Sequence, residues 1–290
     1  MTPKKIALLT DSSADLRWDQ ARENNIFFVP LRILCEDGEY LDGVNITGPD
    51  IYQRLHNGEL PQTSLPRVED FSAKLREIFD LGYDGVIAVM LSSGLSGTYN
   101  LARILAGECA EQGYAMKVFD SVSGALGQGM TVLQLAEDIK NGMDWEELTE
   151  RRAPQLIANT YPFFSVDTLE YLVKGGRIGK VTAMAGTMLQ IKPIIYVNDE
   201  GIYATLAKAR GYKSAVDTMV GEVKRFLGGA KAELSVVNGK AREEAEKLME
   251  RLRSELDVTG ETYIMSVSPV LAIHTGPGLL GIVANRADPV

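Results

Sequence analysis

The chain has 290 residues and a formal net charge of −9, with 45% hydrophobic and 24% charged residues. This is the composition of a globular protein, and an acidic chain without a basic stripe argues against nucleic acid as a partner. The two cysteines and two histidines form no zinc or redox motif, so we expect no metal and no cofactor. The N-terminus has no signal-like segment and no apolar run reaches transmembrane length, which predicts a cytoplasmic protein.

Apolar runs alternate with helical patterns through the first half of the chain. Strands are predicted over Lys5–Thr10, Ile26–Leu34 with a break at Pro30, Gly85–Leu91 and Ala115–Phe119. Helices are predicted over Leu16–Asn24, Pro49–Asn57, Val68–Leu81, Tyr99–Gln112, within Ser121–Asn141, and over Trp145–Ala158. Tyr40–Ile46 is expected to be extended, and Leu60–Pro66, with two prolines, is expected to be a loop. The alternation predicts a parallel sheet with helices on both faces.

The second half of the chain has a different pattern. Strands are predicted over Tyr161–Val166, Ile194–Val197, Ile202–Leu206, Ala232–Asn238, Tyr263–Val267 and Gly281–Asn285, the second and third as a hairpin. Helices are predicted over Leu169–Lys174, Ser214–Phe226 and Ala241–Glu255. We therefore predict an α/β protein of two domains. Residues 1–157 form a parallel-sheet α/β domain, and residues 158–290 form an α+β domain.

A loop rich in hydroxyl groups follows the predicted strand Gly85–Leu91. It runs Ser92-Ser93-Gly94-Leu95-Ser96-Gly97-Thr98 and leads into a helix. In an open α/β sheet, ligands bind beyond the carboxyl ends of the strands, and the start of a helix offers unpaired N–H groups to an anion. The same hydroxyls could instead cap the helix and fill the turn. From the loop alone, anion binding and capping are equally supported.

Other polar residues give weaker signals. Thr63-Ser64, between two prolines, could present hydroxyls on a rigid turn, although an exposed turn explains the same pattern. Asp11-Ser12-Ser13, at the end of the first strand, is predicted to be a helix cap and a loop tether. His274 lies between an apolar segment and a Gly/Pro turn, which favours a structural role. Arg177 follows two glycines and fits either a buried or a surface cation.

Two glycine-rich segments resemble nucleotide-binding motifs without meeting their requirements. Gly276–Gly281 matches GxGxxG, but the predicted strand Gly281–Asn285 follows it instead of a helix. Gly175–Val181 is one residue short of a phosphate loop and has Val181 where a hydroxyl must meet magnesium. The sequence therefore offers no nucleotide site of its own.

Taken together, the short motifs resemble those of the DegV family, the bacterial fatty-acid-binding proteins that serve fatty acid kinase. They occur in family order across nearly the whole chain. The matching segments are Thr10–Ser13, Thr63–Pro66, Leu91–Tyr99, Lys174–Ile178, Ile191–Pro193 and His274–Gly278. The resemblance implies two domains with an acyl chain between them.

The resemblance also implies roles for individual residues. Thr63 and Ser96 match the hydroxyls that contact the fatty acid carboxylate. Ser93, Arg177 and His274 are assigned to the supporting polar network. A carboxylate needs several N–H and O–H donors, which agrees with the hydroxyl-rich loop.

A fatty acid kinase is the protein partner that the resemblance implies. Arg210 matches a basic residue that the family uses near this kinase. One departure is Leu65-Pro66-Arg67, where the family more often has Gln-Pro-Ala or Gln-Pro-Ser, so the kinase could approach differently there. No transmembrane segment is expected, although transient contact with a membrane is compatible with a lipid ligand.

The alkyl tail requires a dry apolar slot, worth about 0.8 kcal/mol for each buried methylene. Candidate lining residues are Met184, Ala185, Gly186, Met188, Leu189 and Ile191. Ordinary helix core is the alternative explanation of this segment.

Three functions remain open at this point. The first is a carrier without catalysis, which buries the tail and presents the carboxylate to a separate kinase. The second is a serine-dependent lipid hydrolase or acyltransferase in which Ser96 is the nucleophile and His274 the base. The third is a structural or regulatory module without a ligand.

Overall fold

The computed structural model describes residues 3, 5–184 and 191–287, with no side chains described for 182–184. In chain order its strands are β1 (Ile6–Asp11), β2 (Ile26–Val29), β3 (Arg32–Cys35), β4 (Gly38–Leu41), β5 (Gln62–Ser64), β6 (Gly85–Met90), β7 (Ala115–Asp120), β8 (Thr160–Ser165), β9 (Ile191–Val197), β10 (Tyr203–Arg210), β11 (Ala232–Asn238), β12 (Tyr263–Ser266) and β13 (Leu280–Arg286). Its α-helices are α1 (Trp18–Glu23), α2 (Gly48–His56), α3 (Val68–Asp80), α4 (Thr98–Glu111), α5 (Ala125–Lys140), α6 (Ala153–Asn159), α7 (Glu170–Lys174), α8 (Gly211–Leu227), α9 (Arg242–Glu255) and α10 (Pro269–Thr275).

The N-terminal part contains a parallel sheet of order β2-β1-β6-β7. All six residues of β6 are buried, because helices cover both faces of the sheet. Alternate residues of β1 point to opposite faces: Leu9 packs in one core with residues of α3 and α4, and Leu8 packs in another with residues of α5. The predicted parallel sheet is confirmed.

The C-terminal part contains a mixed sheet of order β10-β9-β8-β13-β11-β12. The β11–β12 pair is parallel and the other neighbours are antiparallel. Its core includes Val220 of α8, Leu248 of α9 and Ile282 of β13. The predicted hairpin is confirmed as β9 and β10. The division into domains at residues 157 and 158 stays a prediction.

A small antiparallel sheet of order β4-β3-β5 corrects the sequence analysis. The prediction of a loop over Leu60–Pro66 was wrong, because β5 pairs with β3 and places Thr63 opposite Ile33. The two prolines flank the three strand residues and so leave their N–H groups available for pairing. The predicted extended segment Tyr40–Ile46 was also too long, since β4 ends at Leu41. Thr63 is therefore fixed by a strand.

The hydroxyl-rich loop after β6 is anchored on the turn between β9 and β10. Ser92 Oγ donates a hydrogen bond of 2.8 Å to the carbonyl oxygen of Gly201. A Cβ atom on Gly94 would lie 2.5 Å from that same oxygen, so the two backbones approach as closely as a glycine allows. This contact joins the parallel sheet to the C-terminal sheet next to the predicted site.

The Gly94–Gly201 contact leads to a stability prediction. The variant Gly94→Ala should lower the free energy of unfolding by about 1–3 kcal/mol, because the added methyl group must displace backbone. Gly107→Ala is the matched control: Gly107 lies in α4 with open space around it, so this change should raise stability by about 0.5–1 kcal/mol. Urea unfolding of both variants measures the difference, and equal stability of the two would refute the close-contact assignment.

Candidate functional site

A cavity of about 140 Å³ lies where the hydroxyl-rich loop, β5 and α10 meet. Four residues singled out in the sequence line it together: Thr63, Ser96, Arg177 and His274. Its apolar walls include Leu31, Leu91, Leu95, Val270 and Leu271. The cavity thus combines hydroxyl groups and one cation with an apolar surface.

Thr63 and His274 form one hydrogen-bonded pair, with 2.8 Å between Thr63 Oγ1 and His274 Nε2. On the other side of the ring, Nδ1 is buried and has no hydrogen-bond partner in the described part of the chain. Nδ1 faces Gly175 so closely that a Cβ atom there would lie 2.1 Å away. We therefore assign the hydrogen to Nε2, which donates to Thr63. The hydroxyl hydrogen of Thr63 is then available to an acceptor in the cavity.

His274 is a neutral imidazole at physiological pH. Burial lowers its pKa to about 4, and the nearby charge of Arg177 acts in the same direction. The ring is only 9% exposed, so its protonated form would lose most of its hydration. A neutral ring can hold Thr63 in place without adding charge to the cavity.

Arg177 supplies a half-buried positive charge to the cavity wall. Within the described residues it donates hydrogen bonds to two backbone carbonyls, from Nη1 to Gly175 at 2.7 Å and from Nε to Leu95 at 3.4 Å. Neither acceptor carries a formal charge, so the guanidinium is not neutralised by these contacts. A site with this cation and hydroxyl donors favours an anionic ligand.

Ser96 lies on the loop, with 2.9 Å between its hydroxyl oxygen and that of Thr98. The base of the loop is held by Asp11, whose carboxylate accepts hydrogen bonds from the backbone N–H groups of Ser13 and Leu91. The predicted cap and tether at Asp11 is therefore confirmed. Burial raises the pKa of this carboxyl, and its hydrogen bonds oppose the rise.

The helix α10, which the sequence analysis did not predict, carries His274 and is held at its start by two buried acids. Asp15 accepts from the N–H of Ser268 at 2.7 Å, and Asp42 accepts from the N–H of Val270 at 3.0 Å. Burial raises the pKa of Asp15, and it raises the pKa of Asp42 to about 7. No local signal reveals these caps, because each acid is more than 200 residues from the helix (228 and 253).

The structure does not bring Ser93 or Arg210 into the cavity. Ser93 is exposed, and its N–H lies 3.2 Å from the carboxylate oxygens of Asp120. Arg210 is exposed at the end of β10 and directly precedes α8. The roles assigned to both residues stay predictions.

The serine–histidine pair that a hydrolase needs is not formed in this arrangement. The hydroxyl of Ser96 contacts Thr98, whereas Nε2 of His274 contacts Thr63. A nucleophilic serine requires a base within hydrogen-bond distance. The geometry therefore does not favour the hydrolase alternative.

A second, apolar cavity of about 50 Å³ adjoins the first, and Tyr203 and Leu271 line both. Its walls include Phe164, Val197, Val237 and Val283. The sequence analysis missed this cavity, because its walls come from distant strands. The predicted slot Met184–Leu189 lies outside the residues whose side chains are described, and only Ile191 of that set falls within them.

A separate cleft of about 320 Å³, the outer cleft, is bordered by the exposed residues Leu60 and Gln62 and by the same polar residues. Thr63, Arg177 and His274 line both this cleft and the inner cavity. Lys174 adds a second cation to the cleft wall.

The fold and the site define an α/β protein with a cavity that is polar and cationic at one end and apolar at the other. Comparison with known proteins identifies the family. The sequence profile of the DegV family, described as uncharacterised proteins, matches residues 5–287. A DegV domain-containing protein of Clostridium acetobutylicum is 39% identical, over 97% of this chain and 98% of its own. The chain belongs to the DegV family.

Solved structures of similar proteins agree with the fold. A DegV family protein from Thermus thermophilus, described by its fatty acid binding, has 32% identity and a TM-score of 0.91, covering 98% of this chain and 100% of its own. DegV from Bacillus subtilis, a fatty acid binding protein, has 29% identity and a TM-score of 0.86, covering 97% and 99%. A stearic-acid-binding protein from Eubacterium ventriosum has 28% identity and a TM-score of 0.86, covering 97% and 98%.

Over the described ranges, no helix has the length and apolar character to cross a membrane. Within the same ranges, no group of three or more His, Cys, Asp or Glu residues is placed to hold a metal ion.

The buried His274 predicts a specific pH dependence of stability. Its pKa is lowered from 6.5 to about 4, so the unfolded chain binds a proton between these values while the folded chain does not. The contribution of His274 to the free energy of unfolding is therefore fully present above pH 6.5. As the pH decreases from 6.5 to 4, the free energy of unfolding falls by about 3 kcal/mol at most.

The variant His274→Gln should remove this loss while retaining a donor toward Thr63. Urea unfolding of both proteins between pH 7.5 and 4.5 measures the effect, with the two chains compared at each pH. The comparison is needed because Asp15 and Asp42, with raised pKa values, change stability in the opposite direction. Parallel curves for the two proteins would contradict a neutral, buried His274.

Proposed function

We propose that this protein binds a long-chain fatty acid, with the carboxylate at the polar end of the inner cavity and the tail in the apolar cavity. The observation that carries the proposal is the half-buried Arg177 beside the hydroxyls of Thr63 and Ser96, in a cavity that adjoins an apolar one. A carboxylate satisfies the cation and both donors, and an alkyl chain suits the apolar walls.

The hydrogen-bond network supports the carboxylate in this position. With the hydrogen of His274 assigned to Nε2, His274 donates to Thr63, which leaves the hydroxyl hydrogen of Thr63 for the ligand. Ser96 lies on a loop whose start is fixed twice, because Asp11 accepts from the N–H of Leu91 and Ser92 donates to Gly201. The donors are thus held in place before the ligand arrives, which lowers the entropy cost of binding.

The relatives support the same ligand class. Structures of DegV proteins from Thermus thermophilus and Bacillus subtilis are described as fatty acid binding, and that from Eubacterium ventriosum as binding stearic acid. Each covers at least 97% of this chain. We propose that the shared fold carries the shared ligand class.

We further propose that the protein is a cytoplasmic carrier without catalysis of its own, which presents the carboxylate to a fatty acid kinase. The outer cleft supports this role, because Thr63, Arg177 and His274 line it as well as the inner cavity. Arg210, exposed on the surface, is the proposed kinase contact. Transient contact with a membrane would serve loading, and the two proposed domains, 1–157 and 158–290, would hold the lipid between them.

Fatty acid binding is tested directly by denaturing the purified protein and analysing the extract by mass spectrometry. We expect about one fatty acid per chain, or uptake of added oleate or palmitate after removal of lipid. A lipid-free protein that also takes up neither acid would exclude the carrier.

The proposed carboxylate ligands predict the effect of removing one hydroxyl. Thr63→Ala and Ser96→Ala should each weaken fatty acid binding by about 1–3 kcal/mol, because a buried charged acceptor loses a donor. Ser93→Ala is the matched control, since this exposed serine lies outside the cavity lining. Calorimetric titration with oleate gives the affinities. Unchanged affinity in the first two variants would mean that the fatty acid carboxylate binds at another place.

The kinase role is tested by supplying the loaded protein to a fatty acid kinase with ATP and measuring acyl phosphate. Arg210→Ala should lower the rate at low protein concentration while leaving oleate affinity unchanged, because the side chain is exposed and outside the cavity lining. Arg225→Ala is a control at another exposed arginine. Equal rates for both variants would exclude Arg210 as the contact.

A further inference from the structure

Among the described residues, the polar and apolar cavities share one pair of wall residues, Tyr203 and Leu271, which we name the constriction. Both side chains are buried, with 7% of Tyr203 and 8% of Leu271 exposed. A tail that starts at the carboxylate site and enters the apolar cavity would therefore run past these two side chains.

The constriction is firmly held on the Tyr203 side. The ring packs edge-on against Phe164, with 5.2 Å between ring centroids and an interplanar angle of 76°. Gly179 packs closely against the backbone of Tyr203, because a Cβ atom on Gly179 would lie 2.3 Å from the carbonyl oxygen of Tyr203. Tyr203 also begins β10 and pairs with Val197, another wall residue of the apolar cavity. The ring is therefore packed against Phe164, while the backbone of Tyr203 is fixed by the sheet edge and by Gly179.

Leu271 forms the other side of the constriction and lies on α10, the helix that carries His274 of the polar site. It lies three residues before His274 on α10, and the i, i+3 spacing places both on one face of the helix. Leu271 consequently faces the passage while His274 faces Thr63. The width of the passage is thus tied to the position of the carboxylate site.

The volumes show why the passage matters. The apolar cavity, at about 50 Å³, is much smaller than the polar one at about 140 Å³. A longer tail therefore needs more room at the constriction than a shorter one, and loss of a shared wall side chain supplies it.

We propose that Tyr203, with Leu271 opposite, is the residue that sets which acyl chains this protein accepts. The proposal rests on the proposed fatty acid site. The two side chains limit how much of a tail fits past them, and replacing the ring by a smaller apolar side chain widens the space that the two cavities share. Each methylene moved from water into an apolar slot is worth about a factor of four in affinity, so access for two or more further methylenes changes affinity about tenfold or more.

The test measures the affinities of delipidated protein for saturated fatty acids from octanoate to octadecanoate, by displacement of a fluorescent fatty acid. Tyr203→Leu and Leu271→Ala should each raise the affinity for octadecanoate relative to octanoate about tenfold or more over the wild-type ratio. Tyr203→Phe keeps the ring and should retain the wild-type ratio. Using a ratio cancels changes at the carboxylate, which every ligand shares.

The outcomes separate this inference from the proposed function. If the wild type binds fatty acids and both Tyr203→Leu and Leu271→Ala keep its dependence of affinity on chain length, the constriction does not set selectivity. If Tyr203→Phe alters the profile as much as Tyr203→Leu, the hydroxyl and not the ring is responsible, and the proposal is again overturned. If the wild type binds no fatty acid of any length, the proposed function itself fails. Leu271→Ala decides the matter if Tyr203→Leu does not fold.

Discussion

The site depends on how α10 is held at its two ends. Asp15 and Asp42 accept hydrogen bonds from the first N–H groups of the helix, and His274 near its other end bonds to Thr63. Buried carboxyl oxygens at a helix N-terminus satisfy donors that would otherwise be unpaired. Because both acids come from the N-terminal part of the chain, these bonds orient a C-terminal helix against β5.

Most of the polar groups that surround this helix in the cavity are uncharged. His274 is neutral, Thr63 and Ser96 are hydroxyls, and Arg177 carries the positive charge of the lining. In a partly dry cavity one cation with neutral donors distinguishes an anion from a neutral lipid. The adjoining apolar cavity shares Tyr203 with this one, and under the proposed function it would take the tail while the polar cavity takes the head.

The sequence predicted those features that local patterns encode. The apolar run of β6 and the hydroxyl-rich loop after it indicated the parallel sheet and one wall of the site. The family resemblance indicated that Thr63, Arg177 and His274 belong to the same site. The sequence did not predict β5, because the flanking prolines favoured a loop and the strand depends on pairing with β3. It also did not predict that Asp15 and Asp42 cap α10, since such contacts arise from tertiary structure alone.

The Thr63–His274 hydrogen bond also bears on how the protein folds. Its two partners are 211 residues apart, and the caps of α10 span even longer separations. Contacts of high sequence separation form late, because the entropy of closing the chain must be overcome before they contribute. During synthesis the N-terminal part therefore emerges with its half of the cavity open. The binding site comes into existence only when the last helix docks, so ligand capacity reports completion of the whole fold.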